Sequence, residues 1–225
     1  MRRRDAIAVC LGGFAISGCT GSTETESTQG DMIDFHDLPT LGAPGIDVRL
    51  PTLQKLWVID KYIRDNISLP PGYDRGLGSV GLILERPIAF GSYWNSPKNA
   101  ITFAYTGGEG DHYSLLIRDG VVDESSPVVM TWPTAPKEHV QYIVGASLCD
   151  FLSFGLLSGF FCVYGDIRWS EKEEWQFPVL GETRQNVMTI LSQTLNLTPW
   201  PVNDYPQRLE DLQRKFLNLV EWSEE

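Results

Sequence analysis

The chain has 225 residues, 42% of them hydrophobic, enough for one domain with a sizeable core plus a tail, or at most two small domains. Its formal net charge of −11 argues against nucleic acid and anionic lipid headgroups as partners of the folded body, because like charges repel.

Arg2-Arg3-Arg4 forms a positive start, and Ala6 to Ile16 is an apolar stretch with two glycines. Ile16-Ser17-Gly18-Cys19 then places small residues directly before a cysteine. A membrane-spanning helix needs ~20 apolar residues, so these 11 positions read as the apolar part of an export signal. The arrangement resembles a bacterial or archaeal lipoprotein signal with its lipobox. The arginines followed by Asp5 also resemble the twin-arginine lipoprotein signals of halophilic archaea. The resemblance implies that residues 1–18 are removed and that the Cys19 thiol carries a thioether-linked lipid. The mature chain is then exported and held on the outer face of the cytoplasmic membrane through that lipid alone. Losing Arg2, Arg3, Arg4 and Asp5 leaves 15 basic and 28 acidic residues, a net of −13. Thr20 to Gly30 contains no apolar side chain, so residues 19–30 read as a flexible tether. Residues 31–225 read as a single domain with a C-terminal helical extension.

Asp31 to Pro51 is rich in Pro, Gly and Asp and reads as an irregular lead-in. Thr52 is the expected N-cap of a helix reaching about Asn66, with Leu53, Leu56, Ile59 and Ile63 on one side. Leu69-Pro70-Pro71-Gly72 closes that segment. Short strands are expected at Gly81 to Leu84 and Ile88 to Tyr93, where Pro87 favours an edge or a bend. Ala100 to Tyr105 and His112 to Arg118 alternate as strands do. Asp119-Gly120 signals a tight turn, and Val128 to Trp132 reads as the next strand. The links are too short for parallel crossovers, so an antiparallel meander is expected. A helix over Ser147 to Phe154 should stop at Gly155, and Phe160 to Tyr164 reads as a short strand. Helices follow over Glu182 to Leu195, carrying Val187, Ile190 and Leu191, and from about Pro206 to Trp222. The last has Leu209, Leu212, Phe216, Leu219 and Val220 on one stripe. The fold class expected is α+β, a mostly antiparallel sheet flanked by N-terminal and C-terminal helices.

Several pieces between Leu69 and Tyr164 carry a resemblance in order. They are Leu69-Pro70-Pro71-Gly72-Tyr73, the run Phe103-Ala104-Tyr105-Thr106-Gly107-Gly108-Glu109-Gly110-Asp111-His112-Tyr113, Pro127-Val128-Val129-Met130, and Ser147-Leu148-Cys149-Asp150-Phe151-Leu152. Together they resemble the SUKH superfamily, which includes cell-wall-synthesis regulators and toxin-immunity proteins. The resemblance covers under half of the chain. It implies an α+β scaffold that binds another protein; none of its pieces is a catalytic signature, and no cofactor is expected.

The sharpest local feature is the loop Thr106-Gly107-Gly108-Glu109-Gly110-Asp111. It runs from strand to strand, whereas a phosphate cradle feeds a helix N-terminus, and its carboxylates would repel an anion. Glu109, Asp111 and His112 are chemically suited to a divalent cation. Three ligand types within four residues rarely converge on a hairpin unaided, so no metal is expected. The preferred reading makes Gly107, Gly108, Glu109, Asp111 and His112 a partner-facing loop beside a sheet edge. His36, His112 and His139 are the only histidines, and no zinc-protease, nucleophile-elbow or phosphate-loop motif occurs. The alternative reading is a cell-envelope enzyme or a solute- or metal-binding lipoprotein. Cys149 and Cys162 sit among large apolar residues and read as buried thiols, although an oxidising compartment permits a disulfide. Trp169 and Trp175 raise a sugar-stacking surface, while the spread of the seven tryptophans favours core and margin positions. Asn66-Ile67-Ser68 and Asn196-Leu197-Thr198 fit the glycosylation pattern, the second weakened by Pro199.

Overall fold

Proline can open a helix because the first-turn N–H it lacks has no intrahelical partner anyway. Helix α1 (Pro51–Asn66) uses this: Pro51 leads and Leu50 occupies the cap position, not Thr52. Thr52 lies inside the first turn, and its N–H donates to Glu124 Oε1 at 2.7 Å. That side chain satisfies one of the orphan donors of the helix start, which is why no local cap is needed. Leu53, Leu56, Ile59 and Ile63 are buried as their spacing predicts, and Trp57 joins them. The computed structural model describes residues 33–36, 38, 41, 45–69, 76–136, 139–161, 163 and 180–222, all within one unit spanning Ile33–Glu225. The expected export signal, Cys19, the expected tether, Pro70 to Tyr73, Cys162, Tyr164, Trp169 and Trp175 lie outside the described residues.

Strands follow in the order β1 (Asp47–Arg49), β2 (Ile83–Phe90), β3 (Ala100–Tyr105), β4 (His112–Leu116), β5 (Val121–Asp123), β6 (Val128–Thr131) and β7 (Gln141–Gly145). Five of them form an antiparallel sheet ordered β2-β3-β4-β6-β7. The fold is therefore α+β with a mostly antiparallel sheet, and helices precede and follow it. Three expectations about the strands are corrected. The lead-in contains β1, which pairs in parallel with β5, because α1 and three strands between them supply the long crossover that neighbouring strands lack. The two strands expected around Pro87 are one strand, whose pairing with β3 breaks between Leu84 and Ala89. Phe160 and Phe161 lie in a bend, not in a strand. The backbone of Phe160 is used elsewhere: its N–H donates to Val80 O at 2.7 Å and its carbonyl accepts from Tyr113 Oη at 2.6 Å.

Strand alternation sends β4 side chains to two faces. Tyr113 turns to the face where Phe103, Phe151 and Phe160 pack around it, with ring centroids 4.6 Å apart for Tyr113 and Phe151. Phe151 comes from α2 (Leu148–Gly155), capped by Ser147, whose Oγ accepts from Asp150 N at 3.1 Å. Gly155 is the last helical residue and not a stop signal beyond it. Helix α3 (Glu182–Leu195) has the predicted bounds, buries Val187, Met188 and Leu191, and ends at Asn196 in the left-handed conformation. The last helix, α4 (Tyr205–Phe216), is shorter than its apolar stripe implied and passes into a 3₁₀ turn at Leu217–Leu219.

Two polar devices fasten α4. Asp150 accepts from Ala146 N at 2.8 Å and Trp200 Nε1 at 3.1 Å and forms an ion pair with Arg208, which lies 4.4 Å over the Trp200 ring. Gln213 completes the outer edge of β7: its Oε1 accepts from Ile143 N at 2.8 Å, and its Nε2 donates to Ile143 O at 2.7 Å. A side-chain amide thus replaces a neighbouring strand. Beyond α4, Lys98 N donates to Glu221 O and Asn99 Nδ2 donates to Leu219 O, tying the segment after α4 to the turn before β3.

Candidate functional site

Register puts Tyr105, His112, Thr131 and Gln141 side by side across β3, β4, β6 and β7, on the face opposite Tyr113. A half-solvated sheet would expose such a row. Here the segment between β2 and β3 covers it, and His112, Thr131 and Gln141 are all buried. His112 is the anchor of that cover. Its Nδ1 lies 2.8 Å from Gly110 O, which can only accept, so Nδ1 carries the proton. Nε2 is left to accept from Ser96 Oγ at 3.0 Å. Tyr93 stacks on the imidazole with centroids 5.6 Å apart and planes 17° apart, while Tyr105 lies 5.9 Å away on a tilt. Burial pushes the His112 pKa below its ordinary value, opposed by the Gly110 hydrogen bond.

The Ser96–His112 pair has the order of a nucleophile, a base and a group that orients the base. Its surroundings do not serve attack on a substrate. Both residues are buried, the Ser96 N–H already donates to Tyr93 O at 3.0 Å, and Pro97 supplies no N–H for a developing oxyanion. The pair is a latch that holds the 91–96 segment on the sheet. It also corrects the expectation for His112, which has no exposed surface to offer a partner.

The remaining loop residues are placed differently. Gly107, Gly108 and Glu109 are exposed, and Asp111 is half-buried. Gly110, which the sequence reading passed over, matters most for shape. Its φ is +89°, and a Cβ there would stand 2.4 Å from the Tyr93 ring. Only glycine allows both that backbone and that contact. Glu109 Oε2 accepts from Thr134 Oγ1 at 3.4 Å, and Asn95 Nδ2 donates to Pro133 O at 3.2 Å. The Glu109 loop, the 133–134 turn and the Tyr93–Asn95 segment are thereby joined into one surface.

That surface is aromatic and acidic. Trp94 is 57% exposed and Tyr93 39%. Burial and then Glu109 push the Asp111 carboxyl up to about 6. Its Oδ1 is buried without a hydrogen-bond partner. Burial, Glu85 and Tyr93 raise the Tyr105 phenol. Among the described residues neither Glu85, Glu109 nor Asp111 forms an ion pair. Glu109, Asp111 and His112 do not make a metal cluster: among the described residues no three acidic, histidine or cysteine side chains are grouped to hold an ion. Alternation explains it, since His112 turns under Tyr93 and spends both ring nitrogens on protein partners.

Sequence reasoning missed Tyr93 and Trp94. Trp94 was one tryptophan among seven without spacing, and only the contact of Tyr93 with Gly110 reveals that two loops share a surface. Cys149 is a free, half-buried thiol 3.8 Å from Thr52 Oγ1, and burial pushes its pKa up. No family model, curated protein or solved structure matches this chain.

Proposed function

We propose that this is a lipid-anchored cell-surface protein whose SUKH-like domain binds another protein without catalysis, toxin immunity being its most specific form. The observation that carries the binding half is the joined surface of Tyr93, Trp94, Glu109 and Asp111. Exposed aromatics on a rigid support are the residues that anchor protein interfaces, because they contribute large area at little conformational cost. Here the support is rigid: the Ser96–His112 latch and the Gly110 contact hold the loops from below. The proposed surface keeps the expected loop but not the sheet edge beside it. The β7 edge is completed by Gln213, and β2 at the other edge is broken around Pro87, which donates no N–H. Added-strand pairing is disfavoured at both, and the loop surface takes its place.

The anchoring half rests on Arg2 to Cys19 in the sequence. Among the described residues no helix is long and apolar enough to cross a membrane. Intact-mass measurement of the native product tests anchoring: a chain starting at an acylated Cys19 is expected, and an unmodified full-length chain refutes it. Affinity capture with the native chain tests binding. One protein retained in stoichiometric amount, and lost on Trp94→Ala, is expected. Retention of a small molecule or metal in place of a protein refutes the binding reading.

A further inference from the structure

At one place acids without an ion pair among the described residues meet exposed aromatics. Tyr93 lies against Gly110, between Glu109 and Asp111 in the chain, and the exposed Trp94 stands between it and Asn95, which donates to Pro133 O. Aromatic faces and carboxylates share one preferred guest. The ring's negative face attracts a cation, and a carboxylate adds a charge-assisted hydrogen bond. A metal ion fits poorly, since the ring faces cannot coordinate it and the Asp111 and His112 side chains diverge. An anion is repelled by Glu85, Glu109 and Asp111. A neutral sugar would stack on Trp94 but would leave the carboxylates unpaired.

We propose that the surface formed by Tyr93, Trp94, Glu109 and Asp111 receives a lysine or arginine side chain of a basic protein partner, an inference that rests on the protein-binding reading. Charge complementarity selects this occupant. The net charge of −11 steers a basic protein toward the chain, and the loop offers carboxylates without a competing internal cation among the described residues. The buried, unpartnered Oδ1 of Asp111 supplies the local reason. Desolvation has already raised the energy of that carboxylate, so an arriving guanidinium or ammonium gains more there than at a fully hydrated surface acid. The partly exposed Tyr93 ring shields the contact on one side.

The test uses the full chain in a mild non-ionic detergent and a tri-arginine peptide as probe, with tri-glutamate and a neutral glucose oligomer as comparisons. Tryptophan fluorescence and NMR shifts of the Tyr93 and Gly110 amides report binding. Saturable tri-arginine binding is expected, weakened about tenfold or more by Glu109→Gln with Asp111→Asn and several-fold by Trp94→Ala. Tri-glutamate should not bind. Glu182→Gln with Glu210→Gln removes the same charge from exposed helix positions and should change little. Equal weakening by both double variants would reduce the effect to overall charge and overturn the proposal, as would charge-independent binding of the glucose oligomer in its place. Failure of the function reading is separable. A protein captured equally by wild type and by the Glu109/Asp111 variant keeps protein binding and removes this site. Site-specific tri-arginine binding with no captured protein does the reverse.

Discussion

Replacing Gln213 with alanine removes three hydrogen bonds at once, two to Ile143 and one from Nε2 to Leu209 O at 3.0 Å. The Leu209 bond is secondary, because that carbonyl sits within a helix. The Ile143 pair is different, since the residue is fully buried and its outward N–H and C=O have no neighbouring strand. Leaving a buried backbone group unpaired costs about 1–3 kcal/mol, and two such groups that water partly reaches give an expected loss of about 2–4 kcal/mol. For a domain of this size each kcal/mol lowers Tm by roughly 2–4 °C. Urea unfolding followed by circular dichroism measures the loss as a shift of the midpoint at constant slope. Gln213→Glu sharpens the argument. Ionised, it can accept from Ile143 N–H but faces the Ile143 carbonyl with a second negative oxygen. Protonated, it again offers one acceptor and one donor. Its deficit should therefore shrink between pH 7 and pH 4, relative to wild type. A Gln213→Ala chain within about 0.5 kcal/mol of wild type would show that Ile143 needs no partner and would refute the surrogate-strand reading.

Asp111 and His112 should give opposite pH slopes. The folded carboxyl titrates near 6, above its unfolded value of about 3.9, so stability falls as pH rises between those values. Asp111→Asn should thus stabilise the fold by about 1 kcal/mol at pH 7.5, discounted for solvent screening, and have little effect near pH 4. His112 is depressed, so its contribution is lost as pH falls below the unfolded value of about 6.5, a loss that denaturant titrations of Asp111→Asn across pH 4–7 should unmask. Gly81→Ala should cost about 3 kcal/mol or more, measured by thermal unfolding, because φ is +85° and the new Cβ would stand 2.4 Å from Phe161 N. Thr131→Val should be neutral or stabilising by the same assay, since its buried Oγ1 has no protein partner to lose; a loss above about 1 kcal/mol would contradict this.

What could be read in one dimension was what local physics decides. Helix α1 announced itself through Leu53, Leu56, Ile59 and Ile63, and α3 through its polar boundaries and apolar spacing. Asp119 and Gly120 both take positive φ, as a two-residue hairpin turn requires. Elements set by distant partners escaped. β1 and β5 have three residues each and no pattern beyond their pairing with one another. β7 is only Gln-Tyr-Ile-Val-Gly, too short for a period to show. The site was half legible. Glycines marked the 107–110 loop, but alternation alone could not reveal that a second segment covers the His112 side of the sheet. That cover makes His112 a fastening instead of a contact, and it brings Tyr93 against Gly110, next to Glu109.

The reliance of β7 on Gln213 also orders events in time. A ribosome delivers the five strands well before the residue that finishes the last of them, and the Asn99 contact with Glu221 spans nearly the remainder of the chain. Until Gln213 has been made and α4 has formed, one flank of the nascent sheet stays unsealed and open to stray pairing. A premature stop just upstream of α4 would therefore yield a sticky species, not merely a shorter one.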